Sequence, residues 1–162
     1  MKVLFLHGLE SKPGGSKANF LKLNGFEVLN PHLPKESFEE SVRIAQEVID
    51  TENPDLVVGS SRGGAVAMSV NTVGAPIVLI APGWKRFMNE SQLSDWDIRC
   101  EPQRTIVLHS PEDDIIPIED SYEIADRWQV KVIEVGAGHR MSDDDALAAM
   151  LDVSQWLGGA KA

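Results

Sequence analysis

Apolar positions along this chain fall into two patterns that take turns. Short runs rich in β-branched residues occur at Val3–His7, Glu27–Asn30, Leu56–Ser60, Ile77–Ala81, Thr105–His109 and Lys131–Val135. Several are apolar at every position instead of every second one, as expected of parallel strands covered on both faces. Between them lie Ser16–Leu23, Glu36–Thr51, Gly63–Asn71, Ile118–Arg127 and Ser142–Leu157. In these segments the apolar residues recur at helical spacing and leave one apolar stripe. Phe38, Val42, Ala45, Val48 and Ile49, for example, fall near one helical face. The last segment opens with Ser142 in an N-cap position and Asp145 three residues on, a start like a capping box. Strict β/α alternation predicts a doubly wound α/β fold, with a mostly parallel sheet of about six strands.

One stretch breaks the alternation. Pro82 to Pro102 places Trp84, Phe87, Leu93 and Trp96 among polar residues, and reads as a surface excursion with a short helix. No repeat, low-complexity tract or linker divides the 162 residues, so one domain over 1–162 is expected. The tail from Gly158 is expected to fray.

Charge narrows the partners. Twenty-five acids against 15 bases give a net charge of −10. That opposes binding to a phosphate backbone or an anionic membrane. The single cysteine, Cys100, excludes an internal disulfide and fits a reducing, cytoplasmic setting. The apolar start Val3–Leu6 is too short for a secretory leader and meets His7-Gly8 at once. The histidines and acids show no metal-ligand spacing, and no cofactor motif is present. The glycine-rich loop 11–16 lacks the Gly-Lys-Ser/Thr ending of a phosphate-binding loop.

The chemistry concentrates at Gly59-Ser60-Ser61-Arg62-Gly63. A Gly-x-Ser-x-Gly turn between a buried strand and a helix presents its central serine at a strained, exposed tip. A serine hydroxyl there needs a base, a group to orient that base, and donors for an oxyanion. His139, in the glycine-rich loop after the last strand, is the candidate base. It alone of the four histidines follows both the serine and an acidic loop. That loop offers Asp113 and Asp114 as candidate acids, and residue types alone do not separate them. The backbone amides of Arg62 and Leu9 are the candidate oxyanion donors, with Gly8 allowing the tight turn beside them. Gly8 and Trp84 are further candidates for the substrate pocket, Trp84 having helix packing as its other reading.

The set His7-Gly8, Gly59-x-Ser61-x-Gly63, Asp113 and His139 resembles the α/β-hydrolase superfamily. The longer strings His7-Gly-Leu-Glu-Ser-Lys-Pro13, Ser16-Lys-Ala18 and Val58-Gly-Ser-Ser-Arg-Gly-Gly64 resemble a group of short bacterial serine esterases. The resemblance spans positions 6 to 139. It implies a minimal α/β-hydrolase fold with strand order 2-1-3-4-5-6 and ester hydrolysis through an acyl-enzyme without metal or cofactor. It also implies a Ser61–His139–Asp113 triad, because a His-Gly-x-x-Asp-x-x-x-Pro spacing places the acid at Asp113 with Pro117 in register.

Two departures stand out. Ser110 replaces the usual glycine of that spacing. Arg62 stands where a small or apolar residue is common, so its charge is expected either to affect acyl preference or to pair with a carboxylate such as Glu10. With only 82–102 available as a lid, an open pocket for short-acyl or small soluble esters is expected. The same triad would serve a thioesterase, amidase or peptidase, and a hydrolase-fold binding protein is the reading outside catalysis.

Overall fold

The computed structural model describes residues 1–9, 13–91 and 100–159. Six strands form its sheet: β1 (Lys2–Leu6), β2 (Glu27–Leu29), β3 (Leu56–Ser60), β4 (Ile77–Ile80), β5 (Thr105–His109) and β6 (Lys131–Glu134). Every neighbouring pair is parallel, and the order is β2-β1-β3-β4-β5-β6. Six helices connect or flank them: α1 (Ser16–Leu23), α2 (Phe38–Glu52), α3 (Arg62–Ser69), α4 (Trp84–Ser91), α5 (Glu119–Trp128) and α6 (Asp144–Gly159).

Alternation within the strands splits the core into two layers. Leu4, Leu6, Val57, Leu79 and Val107 point to one face, where α2, α3, α4 and α5 cover them. Val3, Phe5, Leu56, Val58, Val78, Ile80, Ile106 and Leu108 point to the other, beneath α1 and α6. Burial on both faces is why these strands read as unbroken apolar runs.

The first helical residue of α6 is Asp144, and Asp143 supplies its cap. The Asp143 carboxylate accepts from the Ala146 amide at 3.2 Å and from the Ala137 amide at 3.1 Å. The expected Ser142 cap is therefore displaced by one residue. Asp143 satisfies a helix amide and a loop amide at once, which a serine one residue earlier does not. Of the 82–102 excursion, α4 supplies the expected short helix, and 92–99 lie outside the described residues.

Strand ends line up where the sequence places its chemistry. Register pairs Leu6 with Gly59, Ser60 with Ile80, Ile80 with Leu108 and His109 with Glu134. The loops after β1, β3, β5 and β6 thus leave the same edge. In open α/β sheets this carboxyl edge, at the point where strand order reverses, is where ligands bind. Here the reversal falls between β1 and β3.

Candidate active site

The turn from β3 into α3 is built by close approach. A Cβ on Gly63 would lie 2.0 Å from the Leu6 carbonyl oxygen, and one on Gly59 would lie 2.4 Å from the Gly63 oxygen. Both glycines bring backbone against backbone. The positive φ of the turn belongs to Ser61 itself, at φ 56° and ψ −116°. Such a conformation in a non-glycine residue costs on the order of 1–3 kcal/mol and persists only where surroundings enforce it. They do so here: the Ser61 amide donates to the Ile80 oxygen, and the Ser61 oxygen accepts from the Gly64 and Gly83 amides.

The Ser61 hydroxyl lies 3.0 Å from His139 Nε2. His139 Nδ1 lies 2.8 Å from Asp113 Oδ2. With that carboxylate oxygen accepting from Nδ1–H, Nε2 is left as an acceptor for the serine proton. Asp113 Oδ1 accepts from the Ile115 and Ile116 amides, both at 2.9 Å. Burial would raise the Asp113 carboxyl, but the Ile116 amide, His139 and the Ile115 amide outweigh it and hold the group below its ordinary value. Asp114 is exposed and stands outside this chain of bonds.

Two residues beyond the sequence-based candidates complete the arrangement. His109, fully buried at the end of β5, has Nε2 3.1 Å from Asp113 Oδ2 and 3.0 Å from the Ile116 oxygen. Its Nδ1 meets the Ser121 hydroxyl at 2.6 Å. A donating Nε2–H thus braces the acid and its loop together. The sequence signal was its place four residues before Asp113. Ser110, also fully buried, donates to the Gly136 oxygen at 2.9 Å and accepts from the Glu112 amide at 3.1 Å. Where a glycine was the usual residue, this hydroxyl ties the acid loop to the loop that carries His139.

On the other side, His7 holds the loop after β1. Its Nδ1 donates to the Gly8 oxygen at 2.8 Å, while Nε2 accepts from the Leu33 amide at 3.0 Å. That pattern requires neutral imidazole. Burial pulls the ring below its ordinary 6.5, with the His32 and Arg62 charges adding to the effect against the Gly8 bond. The unfolded chain therefore binds the proton first. Stability is full above about pH 6.5 and falls as pH drops below it, until the folded ring also protonates. Denaturant midpoints across the acid limb are expected to fall in the wild type and to fall less steeply in His7→Gln.

Gly8, Leu9, Ser60, Ser61 and His139 line one cleft of about 580 Å³, walled further by Phe87 and Ile115. Arg62 is the first residue of α3, where amides point out of the helix end. Its side chain is 1% exposed and does not line the cleft. The guanidinium donates to the Pro34 oxygen at 2.9 Å and lies over the Phe38 and Phe87 rings, 5.6 and 5.8 Å from their centroids. The group is walled off from the cleft rather than set at an acyl site, and Glu10, the carboxylate expected to pair with it, lies outside the described residues.

Trp84 is likewise corrected. It is buried and absent from the cleft lining. Its indole N–H donates to the Asp120 oxygen at 2.9 Å, and its ring packs edge-on against Trp128. A buried indole must place its one donor, and the carbonyl that takes it lies on the α5 side. Phe87, one turn on, takes the wall position instead.

Among the described residues no helix is long and apolar enough to cross a membrane, and no group of three His, Cys, Asp or Glu is placed to hold a metal ion. Cys100 is buried, which pushes its thiol up to about 12 and leaves it unreactive near neutrality.

No family model matches this chain, and no curated protein does. Solved structures do. Alpha/beta hydrolase domain-containing protein 10 from mouse aligns over 99% of this chain and 90% of its own, with a TM-score of 0.75 at 16% identity. The esterase domain of a Rhodothermus marinus protein covers 98% of this chain and 86% of its own, at TM-score 0.70 and 20% identity. Est1E from Butyrivibrio proteoclasticus covers 99% of this chain and 87% of its own, at TM-score 0.74 and 13% identity. At such identities the likeness is one of fold.

Proposed function

From the α/β-hydrolase fold of this chain we propose that it is a serine hydrolase cleaving carboxylic esters, with Ser61 as nucleophile, His139 as base and Asp113 as the acid that orients it. The observation that carries the reading is the continuous bond path from Ser61 Oγ through the His139 ring to a buried carboxylate. Structural neighbours that are hydrolases and esterases support it.

Ser61 Oγ attacks the ester carbonyl carbon as its proton passes to His139 Nε2. The carbonyl oxygen, now negative, is received by the backbone amides of Arg62 and Leu9. The tetrahedral intermediate collapses, the C–O bond to the alcohol breaks, and His139 returns its proton to the leaving alkoxide. Water, deprotonated by the same nitrogen, then attacks the acyl-serine and releases the acid. Asp113 stays ionised throughout and stabilises the imidazolium that forms in each half. The cleft suits small soluble esters with short acyl chains, and the cycle needs no metal or organic cofactor.

A fluorophosphonate probe followed by intact mass and peptide mapping tests the proposal. One adduct is expected, on Ser61, and it should vanish in His139→Ala. Folded protein that takes no label would overturn the assignment and favour a ligand-binding role on the same fold.

A further inference from the structure

An acid can steer an imidazole only if its own oxygen is fixed by something other than that imidazole. Asp113 Oδ1 is held by the Ile115 and Ile116 amides, both at 2.9 Å, which leaves the carboxylate able to pivot about that oxygen. Oδ2 meets His139 Nδ1 at 2.8 Å, the ring to be steered, and His109 Nε2 at 3.1 Å. Among the described residues His109 is thus the contact on Oδ2 that does not move with His139. The anchor is rigid, because His109 ends β5 and is as fully buried as the Asp113 side chain. Its tautomer is set from α5. Ser121 is fully buried, and among the described residues its hydroxyl has no partner other than His109 Nδ1, at 2.6 Å. The Ser121 proton has only that nitrogen to go to, so Nδ1 accepts and the ring proton sits on Nε2. There it is shared between Asp113 Oδ2 and the Ile116 oxygen at 3.0 Å. The Ile116 amide in turn donates to Asp113, so a single N–H grips both the acid and the loop residue that holds it.

Resting on the serine-hydrolase reading, we propose that His109 is a positioning residue of the reaction and that Ser121 locks its tautomer, the pair holding Asp113 Oδ2 where His139 needs it in acylation and again in deacylation. Both act through Asp113, and neither lines the cleft. Losing the anchor therefore slows the chemical steps and leaves substrate binding in place. The geometry has little tolerance: a misplacement of about 1 Å can cost about a hundredfold in rate.

Turnover of para-nitrophenyl butyrate tests this, with Ser61→Ala as the blank and a denaturant curve for every variant. His109→Leu should lower kcat by about tenfold to a hundredfold, the scale of a hydrogen bond to a charged group, with KM little changed. Fluorophosphonate labelling of Ser61 should slow in parallel, since it reports the same activated hydroxyl. His109→Gln carries an amide N–H toward the place of Nε2 and should recover most of the loss. Ser121→Ala should lower kcat several-fold in the wild-type background and not at all in His109→Leu, because its effect passes through the ring. That double variant also removes the buried hydroxyl that leucine would strand, so it keeps the comparison open if His109→Leu alone does not fold. Folded His109→Leu, or the double variant, with kcat near wild type would overturn this inference alone. So would a glutamine variant as slow as the leucine one, or a loss carried by KM. Absence of Ser61-dependent turnover and labelling in the wild type would overturn the hydrolase reading and this one with it.

Discussion

On the proposed mechanism, Ser61→Ala is expected to lower kcat for ester hydrolysis by about a millionfold, the scale seen when the nucleophile is taken from a triad that acts as a unit. The size follows from the wiring. His139 Nε2 has the Ser61 hydroxyl at 3.0 Å and Asp113 on its far side, so removing one oxygen strands a base with nothing to deprotonate but water. The fold should not register the change. Alanine keeps the Cβ, and the φ 56° turn is held by backbone bonds from Gly64 and Gly83 that the substitution leaves in place. Stability within about 0.5–1 kcal/mol of the wild type is expected. Pre-steady-state turnover of an activated ester, read beside a denaturant curve, separates the two effects. Activity near the wild-type level would place the chemistry elsewhere in the molecule.

Asp113→Asn should cost about ten-thousandfold, through the wrong tautomer rather than a lost side chain. Asparagine is nearly isosteric, and its carbonyl can keep the Ile115 and Ile116 amides at the Oδ1 position. Its NH2 then falls where Oδ2 stood, between His139 Nδ1 at 2.8 Å and His109 Nε2 at 3.1 Å. Three donors cannot share that space. His139 must turn Nδ1 into an acceptor, which moves its proton to Nε2 and disables the base. His109 meets the same conflict and cannot change tautomer without losing the Ile116 oxygen. The expected signature is a fall in kcat that hydroxide partly restores at high pH, with little change in KM. Asp114→Asn, at an exposed position, should leave kcat near wild type. The reverse ranking would exchange the two acids.

Much of the architecture was legible because burial on both sheet faces leaves a strong trace. Runs such as Leu56-Val-Val58 and Ile77-Val-Leu-Ile80 tolerate no polar residue on either side, so their extent could be read almost to the residue. Ser61, Asp113 and His139 could be placed on loops at one edge because each directly follows a strand. The failures share a cause: they depend on partners distant in sequence. Ser142 and Asp143 are both fit to cap a helix, and what selects Asp143 is a second amide at Ala137. Trp84 and Phe87 share one helix, and only the carbonyl at Asp120, 36 residues away, decides which ring turns from the cleft. The burial of the Arg62 charge depends on Pro34, 28 residues before it, and on two phenylalanines brought around it. The bracing bonds of His109 and Ser110 left no trace in the sequence because their partners, Ser121 and Gly136, come from α5 and the loop after β6.

Arg62 also bears on how this site could change over time. One residue gives its backbone to the turn that holds Ser61 and its side chain to Phe87 on the cleft wall. Substitutions at the wall are therefore not independent of the Ser61 backbone, and their effects should combine epistatically with changes at Arg62 and Phe38. A lineage adapting this cleft to a new ligand would find paths through Leu9 and Ile115 open, and those through Phe87 contingent on a matching change beneath it.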